Sequence, residues 1–314
     1  MKRAVIISGV FALLIAAVIW AVGLLNMPQT VTISFVGDVL LARGVAEAME
    51  QHGDAYPFEQ VKHIFLRDSL TVANLECPLT NATNPVPKEQ RIIFRAAPDE
   101  AKLLKQAGFD LVSLANNHTM DYMSAGLADT INTLNEQGIA SVGATANPQV
   151  PAAPYIFSQD GINIGFLAYD CLPPEGLYRG ANEATVMYAR PDYLDDMREQ
   201  IARLSQTCAL VVVYFHWGNE YSQVISAMQQ ECARAAVDAG AGLVVGSHPH
   251  VLQKSERYKD GLIYYSLGNF IFDKQIPQGT AKTIILQVTV SKRGVASAKE
   301  IPVAIINCQP VPVD

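Results

Sequence analysis

Leu243-Val244-Val245-Gly246-Ser247-His248-Pro249-His250 is the stretch on which the reading of this chain turns. Three apolar residues followed by Gly246 and Ser247 make a short run of small β-formers, the pattern of a buried strand bounded by a turn. The run delivers two histidines, spaced i and i+2, to the C-terminal end of that strand. This is the edge where open α/β sheets place their chemistry. Imidazole is a common metal ligand, and Pro249 between the two fixes their relative aim.

Four other strand-like runs end in groups that can hold a metal. Val31 to Asp38 ends in a carboxylate, and Leu70 to Glu76 ends in the amide of Asn74 and the carboxylate of Glu76. Asp110 to His118 closes with Asn116, Asn117 and His118, and Ala209 to His216 is followed after a turn by Glu220. Four of the six histidines (His118, His216, His248 and His250) therefore sit at strand ends. Chance would scatter them. A convergent polar cluster on one rim of a sheet is the expectation.

With 314 residues, half of them hydrophobic, and no low-complexity tract, the chain is long enough to bury a sizeable core. Its net charge of −7 and the lack of clustered Lys and Arg argue against a nucleic-acid surface. Five cysteines without a CxxC pair do not make a disulfide framework. Cys77, Cys208 and Cys232 read as small buried hydrophobes, with a Cys208–Cys232 bridge left open.

Residues 4–25 carry no formal charge and follow Lys2 and Arg3, a cytoplasmic basic tip of residues 1–3. The length suffices to cross a bilayer as a helix, and the flanking bases predict that the rest of the chain lies outside the cytoplasm. The expectation is thus a single-pass cell-membrane protein. A cleavable signal peptide ending near Ala21-Val22-Gly23 is the alternative. After a linker over residues 26–30, strands and helices alternate through one domain, residues 31–314. Amphipathic helices are predicted over residues 57–69, 98–108, 124–138, 191–205 and 226–240. A hairpin is predicted over 155–170, turning at Asp160-Gly161, and antiparallel strands over 283–290 and 295–306.

The ordered set Gly37-Asp38, Asn74-Leu75-Glu76, Asn116-Asn117-His118, His216 and Gly246-Ser247-His248-Pro249-His250 resembles the calcineurin-like metallophosphoesterase superfamily. It resembles more closely the CapA family of capsule and poly-γ-glutamate synthesis proteins. Branch features are Phe35 to Asp38 with Arg43 and Gly44, Cys77 to Thr80, His216-Trp217-Gly218-Asn219-Glu220, and Ser266 to Phe270. The resemblance spans roughly residues 31 to 275. It implies an α/β fold, a four-layer αββα metallophosphoesterase-like sandwich behind one transmembrane helix, with one or two divalent transition-metal ions (Mn, Fe, Zn or Co) on the strand rim.

By the same resemblance Glu76 is the bridging acid, Asn117, His216 and His248 complete one metal position, and Asp38 and His250 belong to the other. His118 stands beside the scissile phosphate as the catalytic acid or electrostatic stabiliser. Arg43, Asn74, Asn116 and Glu220 are expected on the substrate side. A shared carboxylate offsets the repulsion between two divalent ions, and imidazoles favour transition metals over Ca. One departure bears on activity. The superfamily's first motif is Asp-x-His, whereas Leu40 stands two residues after Asp38, so that position keeps only Asp38, Glu76 and His250.

The remaining polar candidates have simpler readings. His52 and His63 are read as surface or packing residues, Trp217 as a wall of the cleft, and Asn269 as a turn cap. Glu220 is either an acid orienting His216 or a solvated loop residue. Two functions follow. One is an envelope accessory that carries a metal-site remnant and binds an anionic polymer or the membrane subunits that make and export it. The other is a metal-dependent hydrolase of a phosphoester or polymer amide. ATP-dependent ligation has no support, since there is no phosphate-binding Gly-rich loop.

Overall fold

The computed structural model describes residues 29–147, 149–150, 152–172, 185–191, 194–277 and 279–313. The expected anchor, residues 4–25, lies outside them. Among the described residues no helix is long and apolar enough to cross a membrane.

Strand β1 (Thr30–Val39) is the axis of an eight-stranded sheet. On one side it runs parallel to β2 (Leu70–Leu75), followed by β3 (Leu111–Ser113) and β4 (Ala140–Val142). On the other it pairs antiparallel with β14 (Lys282–Ser291), then β15 (Gly294–Ile306) and β16 (Gln309–Pro312). Short β13 (Asn269–Ile271) runs parallel to the end of β1, with Asp38 opposite Asn269. Helices α1 (Gly44–His52), α2 (Lys62–Phe65), α3 (Glu100–Ala107) and α4 (Met123–Glu136) belong to this half.

The second sheet has the order β11 (Ser255–Tyr258), β12 (Gly261–Tyr264), β10 (Leu243–Ser247), β9 (Leu210–His216), β7 (Ile162–Asp170), β6 (Tyr155–Gln159). Its four central strands are parallel. Helices α5 (Leu194–Ser205) and α6 (Ala227–Asp238) accompany it, and β5 (Ala144–Thr145) pairs with β8 (Thr185–Val186) apart from both sheets.

The layers follow from the two-residue period of β9. Leu210, Val212 and Tyr214 join the core between the sheets, while Val211, Val213 and Phe215 pack with Met197, Ile201, Cys232 and Ala236 of α5 and α6. Phe35 of β1 meets Phe166 of β7 across the sandwich at 6.4 Å between ring centres, and the Tyr214 hydroxyl donates to the Val36 carbonyl at 2.6 Å. Strands buried on both faces read as continuous apolar runs, which is why β9 and β10 show so little alternation.

Most expected helices form, with Gly108 (φ 98) closing α3 and a Ser226–Gln229 capping box opening α6. The hairpin turns at Asp160 (φ 54) and Gly161 (φ 73) as expected. One expectation is corrected. The single helix over 57–69 is replaced by a 3₁₀ turn, Tyr56–Phe58, and the one-turn α2. Tertiary bonds win there, since the Asp68 carboxylate accepts from Ser34 at 2.5 Å and from Gln287 at 2.9 Å. Helix α1 was not anticipated, because it buries only Val45 and Met49. Cys208 and Cys232 are both free thiols.

Candidate metal centre

The rim is built by backbone contacts that few side chains tolerate. The Asp38 N–H donates to the Gly268 carbonyl at 3.0 Å, and a Cβ on Gly37 would lie 1.8 Å from that same oxygen. Only glycine permits the approach. On the second sheet, a Cβ on Gly246 would lie 2.1 Å from the Tyr265 carbonyl oxygen. His248 (φ 92) and His250 (φ 58) both occupy the left-handed region, at a cost of about 1–3 kcal/mol each for non-glycine residues. The His248 N–H donates to Asp38 Oδ2 at 3.2 Å, which ties this strained turn to the opposite sheet.

All seven expected ligand and catalytic residues reach this one rim. Asp38, Glu76, Asn117 and His118 come from the ends of β1, β2 and β3; His216, His248 and His250 come from β9 and β10. The rings of His216 and His248 are 4.8 Å apart, and those of His248 and His250 5.8 Å. His216 Nε2 lies 2.9 Å from Asn117 Oδ1, and its Nδ1 lies 3.0 Å from Ser247 Oγ. Donor atoms of Asp38, Glu76 and His250 all fall within 4.8 Å of one another.

Orphaned polar atoms test whether this set fits a metal ion. Neither oxygen of Glu76, a residue 1% exposed, has a hydrogen-bond partner, and neither does Nδ1 of buried His248. Uncompensated buried carboxylates are costly and rare. His250 Nδ1 is 2.8 Å from Asn269 Oδ1, which leaves Nε2 facing Glu76 Oε1 at 3.8 Å. An outer carbonyl fixing the tautomer of a ligand histidine is a recurrent device of metal sites. Mixed carboxylate, amide and imidazole donors suit a divalent transition ion. The residues fit.

Electrostatics without an ion point the same way. Burial, then the neighbouring Asp38 carboxylate, pushes Glu76 well above the usual carboxylate range. Burial, then the neighbouring histidines, holds His216 far below the ordinary imidazole value and takes His248 down to about 3. Burial also opposes charge on His250, but its contacts with Asp38, with help from Asn269 and Glu220, outweigh it and the pKa rises. The result is one acid, Glu76, that resists ionisation beside two imidazoles, His216 and His248, that resist protonation.

His118 faces the same acid, its Nε2 3.9 Å from Glu76 Oε1. Asp121 holds its Nδ1 at 2.9 Å, and the Phe94 ring stacks on the imidazole at 3.9 Å. Burial lowers the His118 pKa, with Asp121 pulling the other way. Asp121 also accepts the Phe94 N–H at 2.7 Å and pairs with Lys88 at 2.6 Å, so one buried carboxylate fixes both the imidazole and the loop over it. Neither Asp121 nor the role of Asn269 was anticipated. The spacing His118-x-x-Asp121 was the available signal for the first; Asn269 acts through a contact that no local pattern announces.

The expected substrate-side residues divide. Asn74 and Asn116 are buried behind the ligands. Asn74 donates to Asp38 Oδ1 at 2.8 Å, and Asn116 donates to Asn74 Oδ1 at 3.0 Å and accepts from the His118 N–H at 3.0 Å. Their amides orient the ligand layer. Arg43 is partly exposed, pairs with Asp273, and lies over the Phe94 ring at 4.4 Å. Glu220 is exposed, and its carboxylate comes near His248 and His250 instead of standing behind His216. Trp217 is no cleft wall. It is fully buried in the α5–α6 core, donating to the Tyr265 carbonyl at 2.8 Å. His52 and His63 stay apart from the cluster on α1 and α2.

Residues 32–274 match the family model described as bacterial capsule synthesis protein PGA_cap. The chain is 32% identical over 281 residues to the PGA biosynthesis protein CapA of Bacillus subtilis, covering 89% of this chain and 73% of that one. It is 32% identical over 291 residues to the capsule biosynthesis protein CapA of Bacillus anthracis, covering 91% and 70%. Among solved structures, a putative 5'-nucleotidase from Staphylococcus aureus matches with TM-score 0.54 at 13% identity, over 91% of this chain and 54% of that one. The NAD nucleotidase of Haemophilus influenzae matches with TM-score 0.52 at 11% identity, over 92% and 60%. At that identity the likeness is one of fold. The chain belongs to the bacterial capsule synthesis protein (PGA_cap) family.

Proposed function

We propose that this capsule-synthesis family member takes part in making or exporting a capsule or poly-γ-glutamate polymer, as a membrane-anchored protein whose domain lies outside the cytoplasm and engages the polymer or its membrane subunits at a metal-binding rim. Two relatives named for capsule or PGA biosynthesis support the setting. The uncharged segment at residues 4–25 behind Lys2 and Arg3 supports the anchor. The observation that carries the metal reading is Glu76, a buried carboxylate with both oxygens unpartnered amid histidines from the opposite sheet.

In this reading Glu76 is shared between two positions, with Asn117, His216 and His248 on one side and Asp38 and His250 on the other. A divalent ion there supplies Lewis acidity toward an anionic oxygen. The chain does the rest. Asn74 and Asn269 hold Asp38 and His250 in register, and Arg43 sets a guanidinium beside the cluster, where a carboxylate or phosphate of the polymer can be met.

Hydrolysis is the second reading, favoured by the His118–Asp121 pair. With Nδ1 held by Asp121, neutral His118 presents Nε2 as a proton acceptor beside Glu76. Against it stands Leu40, buried in the core where the superfamily has a ligand.

The test is complementation in a capsulated host that lacks its own copy. The unaltered chain restores surface polymer, and a His248→Gln chain, present at equal level, leaves it at the level of the empty host. Equal restoration by both would sink the metal reading. A phosphatase reporter fused to the C-terminus, active only after export, tests the placement in the same cells.

A further inference from the structure

On the premise that the rim holds divalent ions, we propose that Glu220 is a metal ligand of this chain, closing the shell on the His250 side that Leu40 leaves open. Position 40 cannot serve. Leu40 is fully buried in the apolar core, and its N–H is engaged by the Ile271 carbonyl at 2.8 Å. The Glu220 carboxylate has the geometry instead. Donor atoms of Glu220, His248 and His250 all lie within 4.8 Å of one another, as do those of Asp38, Glu76 and His250, and the two triads share His250. His248, 6% exposed, has an Nδ1 without a hydrogen-bond partner.

The turn that carries Glu220 is built, not loose. Just before it, the Trp217 N–H donates to the Ser247 carbonyl at 3.1 Å; just after it, the Tyr221 N–H donates to the Pro249 carbonyl at 2.8 Å. Both anchors lie in the segment that bears His248 and His250. Gly218, at φ 87, packs so closely on the Gln229 amide that a Cβ would lie 2.8 Å from it. Tyr221 is held at φ 62 with its ring 5.9 Å from that of His250. Strain of this kind persists only where surroundings over-determine it. Chemistry agrees as well. Three carboxylates offset the charge of two divalent ions better than two do.

Equilibrium dialysis of the full-length chain in detergent against Mn2+, followed by elemental analysis, tests the assignment without using activity. The unaltered chain should hold two Mn2+. Glu220→Gln should hold one, with the affinity for the other lowered at least about tenfold, and Glu220→Asp should recover part of it. Unchanged thermal unfolding of metal-free Glu220→Gln checks that the loss is local. Equal stoichiometry and affinity in the unaltered and Glu220→Gln chains, whether one ion or two, would overturn the assignment and leave the metal rim standing. No Mn2+ in the unaltered chain would overturn both.

Discussion

The two sheets reach the rim with opposite chemistry. The eight-stranded sheet brings Asp38, Glu76 and the amide-bearing turn before His118; the six-stranded sheet brings His216, His248 and His250. On the first side, burial holds Glu76 above its usual range; on the second, burial holds His216 and His248 below theirs. Each side alone is an unsatisfied arrangement of buried polar atoms. Oxygen donors from one sheet and imidazole nitrogen donors from the other are completed together by a cation between them. Such a centre exists only when the sandwich is closed, so ligand binding and sheet packing are linked.

The largest effect should come from removing the shared acid. Glu76→Gln should weaken divalent-metal binding by more than the roughly 10–100-fold that outer contacts supply. It should also stabilise the metal-free protein, on the order of 1 kcal/mol, by replacing a buried, unpartnered carboxylate with a neutral amide. Calorimetric titration with Mn2+ and thermal unfolding with and without metal read both. A variant that binds metal as before would remove Glu76 from the centre.

A smaller effect isolates one imidazole. Asn269→Ala takes away the acceptor at His250 Nδ1 without touching a ligand and should cost about tenfold in metal affinity, with little change in polymer-independent stability. If the affinity is unchanged, Asn269 is the turn residue its sequence suggested.

The smallest effect is one of pH, with its sign set by Glu76. Its pKa is raised in the folded state, so its contribution to metal-free stability is complete below the ordinary carboxylate value and is lost as pH rises through the raised one. Metal binding displaces that proton, so affinity should climb over the same window. His216 and His248 are uncharged in the folded protein over that window, so metal binding displaces no proton from them; their lowered pKa values instead add metal-free stability as pH rises toward the ordinary imidazole value. Unfolding curves across acidic to neutral pH, with and without Mn2+, should diverge as pH rises. Parallel curves would mean that Glu76 does not titrate on binding.

The rim was legible because strand ends carry their own punctuation. Apolar runs stop at Asp38, Glu76, His216 and Ser247, and no other segment concentrates donors so strongly. The outer layers were legible where helices bury a full stripe, as α5 does with Leu194, Met197, Ile201 and Leu204. Reading failed where tertiary contacts decide. Helix α1 offers two buried residues in nine, too thin a stripe to see. Trp217 follows His216 in sequence but points to the other face of its sheet, as alternation requires, and so leaves the cleft. The amides of Asn74 and Asn116 bond Asp38, the Leu75 carbonyl and the His118 backbone, contacts that no local pattern announces.

One measurement bears most directly on the claim that both sheets hold a common ion: anomalous diffraction from crystals of the protein grown with Mn2+. The account predicts a peak about 2.0–2.2 Å from Glu76 of one sheet and from at least one imidazole of His216, His248 or His250 of the other. A peak bounded by residues of a single sheet, or none at the rim in crystals soaked to saturation, would contradict it.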